Sequence, residues 1–321
     1  MHPRLFDIDI FGRQLTVSTY GTLVAFGIML GIYLGYRQAR RVGLPTDDFL
    51  DLCFFGLIAA LLGSRLLFVL TNWDRFRGDP WRSFAIWEGG LVFYGGVLSA
   101  CAVGLYFMWR RKLPFLGSGD VIAPVLSLGH AFGRLGCHFA GCCWGKACPS
   151  PPGVRFPRES VAYENMAASG KLDPNLAQAT PPLHPVQLYE AGGELLIFAV
   201  LVWLGRRKRF DGQVFFVYLL LYGVLRLVTE LFRGDAERRF LVELSLPGLG
   251  RLLGLGPAEP IFFSTSQFLS LVIIGGAAAA LILLGRRARR AGPGTGEPGP
   301  GQGPSPAPAE GVASTDPGSE P

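Results

Sequence analysis

Apolar positions in this chain gather into long runs, and the charged ones sit in short clusters between them. Runs over 17–36, 49–70, 91–109, 188–204, 213–232 and 262–284 approach or exceed the ~18 residues that mark a membrane-spanning helix. A further stretch, 119–140, is interrupted by His130, Arg134 and His138 and is the weakest by hydropathy. The pattern predicts an all-α polytopic membrane protein with seven transmembrane helices, at 17–36, 49–71, 91–109, 119–140, 187–204, 213–232 and 262–284.

Basic residues orient the series, because Lys and Arg in short connections stay on the cytoplasmic side. Arg37, Arg40 and Arg41 follow the first helix, and Arg110, Arg111 and Lys112 the third. Arg206, Arg207, Lys208 and Arg209 follow the fifth, and Arg286, Arg287, Arg289 and Arg290 the seventh. The N-terminus is therefore expected outside and the C-terminus in the cytoplasm. The domain plan has three parts: a periplasmic segment 1–16, a membrane domain 17–285 and a cytoplasmic basic stop with its tail, 286–321. Outer segments fall at 72–90, 141–186 and 233–261. The stretch 1–16 lacks a basic n-region with a cleavage site, so the first run reads as a retained helix. From Gly292 onward, eight prolines and eight glycines in thirty residues predict a disordered tail.

Composition agrees with the pattern. Only 17% of the 321 residues are charged, against about a quarter in soluble domains. That excludes a soluble enzyme, a nucleic-acid-binding protein and a secreted disulfide mini-protein. The formal charge of +6 needs no nucleic-acid partner. Trp73, Trp81 and Trp87 read as interfacial anchors.

Ionisable residues inside the runs are costly and face a partner or a water-filled cavity. They are Arg65, Arg134, Glu190, Glu194, Arg226 and Glu230. Arg226 and Glu230 stand four apart and can pair on one helix face, which Tyr222 and Arg233 extend. His130, Arg134 and His138 form a second stripe, with Gly141 near its end, and Gln187, Glu190 and Glu194 form a third. Three stripes on three helices imply one polar cavity, and the glycine pairs at 89–90, 95–96 and 192–193 allow close helix approach. An arginine pair in such a cavity suits phosphate, because the guanidinium fork matches its oxygens bidentately. In a bilayer that phosphate belongs to a phospholipid head group.

Cys137, Cys142, Cys143 and Cys148 are spaced C-x4-C-C-x4-C at the outer end of the fourth helix. A disulfide or inert packing, a metal site and a chemical role all remain open for them. Cys53 and Cys101 lie in apolar runs and read as small core residues.

Several blocks resemble one family. The run Gly133-Arg134-Leu135-Gly136-Cys137-His138-Phe139-Ala140-Gly141-Cys142-Cys143-Trp144-Gly145 resembles the signature of prolipoprotein diacylglyceryl transferases, a G-R-x-x-N core with a terminal glycine. His184-Pro185-Val186-Gln187-Leu188-Tyr189-Glu190 is similar to its H-P-[TSV]-Q-L-Y-E block. Tyr222 to Arg233 resembles its Y-[GA]-x-x-R-F-x-[VI]-E-F-[FL]-R. Tyr20-Gly21, Gly63-Ser64-Arg65, the segment from Trp87 to Gly96 and, in part, Ser266 to Ser270 resemble further family blocks. The order and spacing hold over roughly 15–285. Three positions depart: Cys137 stands where the family has asparagine, Cys142 where it has an acid, and Tyr94 where it has histidine.

The resemblance implies transfer of a diacylglyceryl group from phosphatidylglycerol to the lipobox cysteine of a preprolipoprotein. The products are a thioether and glycerol phosphate, and the setting is the bacterial inner membrane. On that reading Arg134 and Arg226 hold the phosphate and Glu230 orients Arg226. Tyr20, Tyr94 and Gln187 hydrogen-bond nearby, with Glu190, Gly141 and Gly145 in the lipid-binding surface. Neighbouring arginines would lower the acceptor thiol's pKa, and His138 or His184 is the candidate base. The resemblance calls for no metal and no cofactor. The partners are phosphatidylglycerol, the prolipoprotein and membrane lipids. Two other readings are a membrane thiol–disulfide or metal-handling protein built on the cysteines, and a lipid or solute transporter.

Overall fold

The computed structural model describes residues 4–10, 13–86, 89–234, 240–244 and 262–291. Trp87, most of segment 233–261 and the expected disordered tail lie outside these. The protein is mostly helical. Its helices are α1 (Thr19–Arg41), α2 (Thr46–Thr71), α3 (Phe93–Arg110), α4 (Phe115–Ala140), α5 (Val161–Ala168), α6 (Val186–Gly205), α7 (Gln213–Thr229) and α8 (Thr265–Ala291). Six are long and apolar enough to cross a membrane: α1, α2, α4, α6, α7 with the tight turn after it, and α8. Helix α3 falls at the position of the third expected span, but Gly95, Gly96, Gly104, two tyrosines and Arg110 dilute its eighteen residues.

The mostly helical architecture agrees with an all-α polytopic membrane protein, and two short strand pairs accompany the helices. Strands β1 (Arg4–Ile10) and β2 (Arg13–Ser18) form an antiparallel hairpin, and β3 (Phe240–Leu244) pairs with β4 (Phe262–Ser264). The first hairpin follows from period-two alternation, Phe6, Ile8 and Ile10 against Asp7 and Asp9, which long-window hydropathy averages away. Ser18 ends the hairpin and caps α1, its hydroxyl accepting from the Gly21 amide at 3.1 Å.

Helix α4 is the hub, packing against α1, α6 and α7, while α7 also packs on α8. Helices α2 and α3 form a separate tight pair joined to the rest mainly through α1. The α1–α4 contact runs along Gly27, Gly31 and Gly35, a small residue at every fourth position. A methyl at Gly27 would stand 2.5 Å from Phe132 Cβ, so the helices could not keep this approach. Outward faces stay apolar, with Leu62, Leu66, Leu98 and Leu196 each more than half exposed, as lipid-facing positions are.

One end of the bundle is tied by Asp120, a buried carboxylate on α4 that the charge inventory of the sequence passed over. Its oxygens accept from the Gly212 and Phe215 amides, both at 3.0 Å, and so satisfy donors left open at the start of α7. Lys208 completes it at 3.0 Å. At the other end, segment 141–186 carries its own small core of Trp144, Phe156, Ala162 and Leu183. Bridges Ala147–Leu183 and Val154–Leu183 tie it together, and Gly145–Arg233 ties it to the end of α7.

Candidate functional site

Helices α4, α6 and α7 meet where the three polar stripes face one another. Glu190, 3% exposed, sits at the centre. Its Oε2 pairs with Arg134 Nε of α4, and its Oε1 accepts from Arg226 Nη1 of α7 at 2.8 Å and from the Thr229 hydroxyl at 3.1 Å. Arg226 turns its other nitrogen to Glu230 at 2.9 Å, one turn on, and donates to the Ser266 hydroxyl of α8 at 3.3 Å. Four helices therefore converge on two guanidinium groups.

One turn along α6 the pattern repeats. Glu194, fully buried, accepts from the Ser127 hydroxyl at 2.7 Å and meets His130 Nδ1 at 2.8 Å. His130 Nε2 accepts from Arg134 Nε at 3.2 Å. His130 is thus engaged at both ring nitrogens, by Glu194 on one side and Arg134 on the other. In the other direction Gln187, with no exposed surface, donates to the Cys142 carbonyl at 2.7 Å. Its Oε1 has no hydrogen-bond partner among the described residues. The α6 stripe is thus a ladder whose rungs are an amide, a doubly paired carboxylate and a carboxylate–imidazole pair.

The structure brings together Arg134, Arg226, Glu190, Glu230 and Gln187 from the expected set. It gives Arg134 a carboxylate partner on another helix, a pairing that spacing within one helix could not reveal. Tyr20 lies against Gly136 on the α4 face and is 43% exposed. Tyr94, 60% exposed, opens α3 with its ring on Phe93, on a helix that packs chiefly against α2. His138 packs its ring on Phe139 and Phe156, and its Nδ1 is buried without a partner among the described residues. His184 packs against Phe232 and places Nδ1 at 3.2 Å from the Tyr189 hydroxyl. Burial first, and then the nearby Lys146, lower the pKa of its imidazole.

Gly141 and Gly145 have backbone reasons to be glycine. Gly141 ends α4 at φ +73, and a side chain on Gly145 would strike His184 and the Phe232 carbonyl. Arg65, expected among the membrane charges, lies outside the cluster. Its guanidinium donates to the carbonyls of Arg82, Ser83 and Gly89 at 2.6–2.8 Å and pins segment 72–90 onto α2.

The four-cysteine spacing resolves into three and one. The sulfurs of Cys137, Cys142 and Cys143 lie within 4.8 Å of one another, and the cysteines are free thiols. Cys148 is buried apart, its thiol donating to the Ser150 carbonyl at 3.1 Å. Hydrogen bonds from Cys137 and Cys142 lower the pKa of the Cys143 thiol, with Arg134 and Arg233 adding to this and burial opposing it, while hydrogen bonds from Cys137 and Cys143 together with burial raise that of Cys142. The three sulfurs are the one group among the described residues suited to a metal ion. Ser127 and Thr229 join the cluster as hydrogen-bond donors, each three residues from a stripe member, His130 and Arg226.

Six spanning-length apolar helices, four of them converging on a buried arginine–carboxylate cluster, define a multi-pass membrane protein with a polar interior site. Its sequence matches the profile of the prolipoprotein diacylglyceryl transferase family over residues 7–283, and the chain belongs to that family. It is 33% identical over 256 residues to the phosphatidylglycerol–prolipoprotein diacylglyceryl transferase of Idiomarina loihiensis, covering 79% of this chain and 88% of the relative. The Clostridium tetani protein of that name is 29% identical over 278 residues, 86% of this chain and 95% of the relative. The Legionella pneumophila (strain Corby) protein is 30% identical over 258 residues, 79% and 93% respectively.

Proposed function

We propose that this chain transfers the diacylglyceryl group of phosphatidylglycerol to the lipobox cysteine of a prolipoprotein, the first step of lipoprotein maturation. The observation that carries the reading is the convergence of Arg134 and Arg226, from separate helices, on one buried carboxylate. A guanidinium buried without a partner is strongly unfavourable. Glu190 therefore keeps both arginines charged and aimed at one point before the lipid arrives.

The reaction needs an acceptor thiolate, a leaving phosphate and lateral entry from the bilayer. The thiolate sulfur bonds to the glyceryl carbon, the carbon–oxygen bond to phosphate breaks, and glycerol phosphate leaves with the negative charge. Arg134 and Arg226 are placed to hold that phosphate, and donors already fixed in a low-dielectric site stabilise the developing charge most. Glu230 orients Arg226 by the pairing one turn apart. Each of the two histidine candidates keeps one buried ring nitrogen without a partner among the described residues, His138 Nδ1 and His184 Nε2, so either could accept the thiol proton. Tyr20 borders the same face of α4, and Tyr94 acts only from the α2–α3 pair.

In this reading α3 is the remaining span, which makes seven with the N-terminus outside and the C-terminus in the cytoplasm of a bacterial inner-membrane protein. The basic clusters behind α1, α3, α6 and α8 support that orientation. A reporter fused after residue 290 should then read cytoplasm and one inserted near 165 the outside. The direct test is transfer from labelled phosphatidylglycerol to a lipobox peptide by the purified full-length protein, with rescue of a strain depleted of its own transferase. Failure of both, with folded protein in the membrane, overturns the proposal.

A further inference from the structure

The three clustered thiols are work that the arginine site does not use. Cys137 closes the last turn of α4, three residues after Arg134. Gly141 then takes the left-handed conformation and Cys143 follows at φ +56. This double reversal turns the chain back over the helix end, so Cys142 and Cys143 meet Cys137. The Cys142 amide donates to the Cys137 carbonyl at 3.1 Å, and Gln187 holds the Cys142 carbonyl at 2.7 Å. The loop is thus tied from both sides, one of them the helix that carries Glu190.

The spacing suits a metal better than an inert pack. Zinc–thiolate bonds of about 2.3 Å put sulfurs about 3.8 Å apart in a tetrahedral site, within the 4.8 Å that bounds this cluster. Three thiolates and a divalent ion carry one net negative charge, and the guanidinium groups of Arg134 and Arg233 lie in electrostatic range to balance it. Sulfur donors select thiophilic ions, and three protein ligands leave the fourth position open.

We infer that Cys137, Cys142 and Cys143 form a three-thiolate site for a zinc-class ion whose open position takes the acceptor cysteine of the transfer reaction. The second half of this inference rests on the transferase reading, and the first half does not. A thiol that coordinates such an ion loses its proton. The proton passes to water, and the bound sulfur bonds to the glyceryl carbon as the carbon–oxygen bond to phosphate breaks. The ion is neither oxidised nor reduced. Arg134 stands one turn before Cys137 on α4 and pairs with Glu190.

Cobalt(II) added to the reduced full-length protein in detergent tests the site without any turnover. One equivalent should give a thiolate-to-cobalt charge-transfer band and the visible bands of tetrahedral coordination. Cys137→Ser, Cys142→Ser and Cys143→Ser should each weaken binding by more than the roughly tenfold that loss of an outer partner brings, and Cys148→Ser should not. No band, a band that survives the Cys142→Ser and Cys143→Ser changes, or a disulfide among the three after thiol trapping in intact membranes overturns the site. A cysteine-containing lipobox peptide should then shift the visible bands, and its serine counterpart should not. If neither shifts them, the acceptor role is overturned and the metal site stands. If the bands shift but phosphatidylglycerol yields no product, the transferase reading has failed and the metal site has not.

Discussion

Arg65 and the pair Arg134–Arg226 are all guanidinium groups set in apolar helices, yet they are satisfied in opposite ways. Arg65 is 5% exposed and answers its donors with backbone carbonyls of one neighbouring segment. Arg134 and Arg226 answer theirs with carboxylates from other turns and helices. Carbonyls are fixed by the fold and carry no charge to exchange, so Arg65 holds segment 72–90 in place and has nothing to give an incoming anion. A carboxylate is itself an anion. At such a site a phosphate competes with the carboxylates for guanidinium donors already set for anionic oxygens, whereas a carbonyl-capped arginine must first lose the contacts that hold the fold. The comparison separates a staple from a binding site among residues that hydropathy ranks as equals.

The comparison can be broken, and the largest expected effect lies at Glu190. Glu190→Gln removes the charge shared by two buried arginines, and losing one partner of a buried pair costs about 3–5 kcal/mol. The expected outcome is a strongly lowered melting temperature in detergent together with lost transfer. A variant that melts like the wild type would show that the arginines have other anions. Next comes Arg226→Lys, which keeps the charge and loses the fork. Transfer should fall at least tenfold, about 1.4 kcal/mol, with little change in melting. Arg134→Lys should behave alike, and the double variant should be less than additive. Normal turnover by both would make the arginines structural, and the distinction from Arg65 would vanish.

Arg65→Lys should show the reverse profile. Lysine cannot reach three carbonyls at once, so stability should drop by about 1–3 kcal/mol. Transfer per folded molecule should hold, as read by activity normalised to protein that survives size-exclusion chromatography. The smallest effect is expected for Thr229→Val, which removes one hydrogen bond to Glu190 at 3.1 Å. About 1 kcal/mol of stability is at stake, and a slight transfer defect without change in lipid selectivity would sharpen the view of Glu190 as the organiser.

Much of the site was legible because helix periodicity is local. Arg226 and Glu230, four apart, pair as expected, and Gln187, Glu190 and Glu194 line one face of α6. The role of Arg65 was not legible. Its carbonyl partners lie 17 to 24 residues away in an irregular segment, and no periodicity reports where such a segment folds back. The cysteines show both sides at once. Their spacing announced a cluster, but the left-handed backbone at Gly141 and Cys143 admitted three sulfurs and sent Cys148 into a separate buried contact.

By itself, the sequence determined that this chain belongs in a membrane, where its helices run, and most of the ionisable residues within them, Asp120 excepted. These follow from transfer energies and a 3.6-residue repeat, which act on neighbours along the chain. Only the tertiary structure decided which arginine meets which carboxylate. That choice depends on how α4, α6 and α7 pack, and the packing rests on small residues and shape across contacts far apart in the chain, 36 residues between Glu190 and Arg226. Charge is a property of a residue, whereas compensation of charge is a property of the fold.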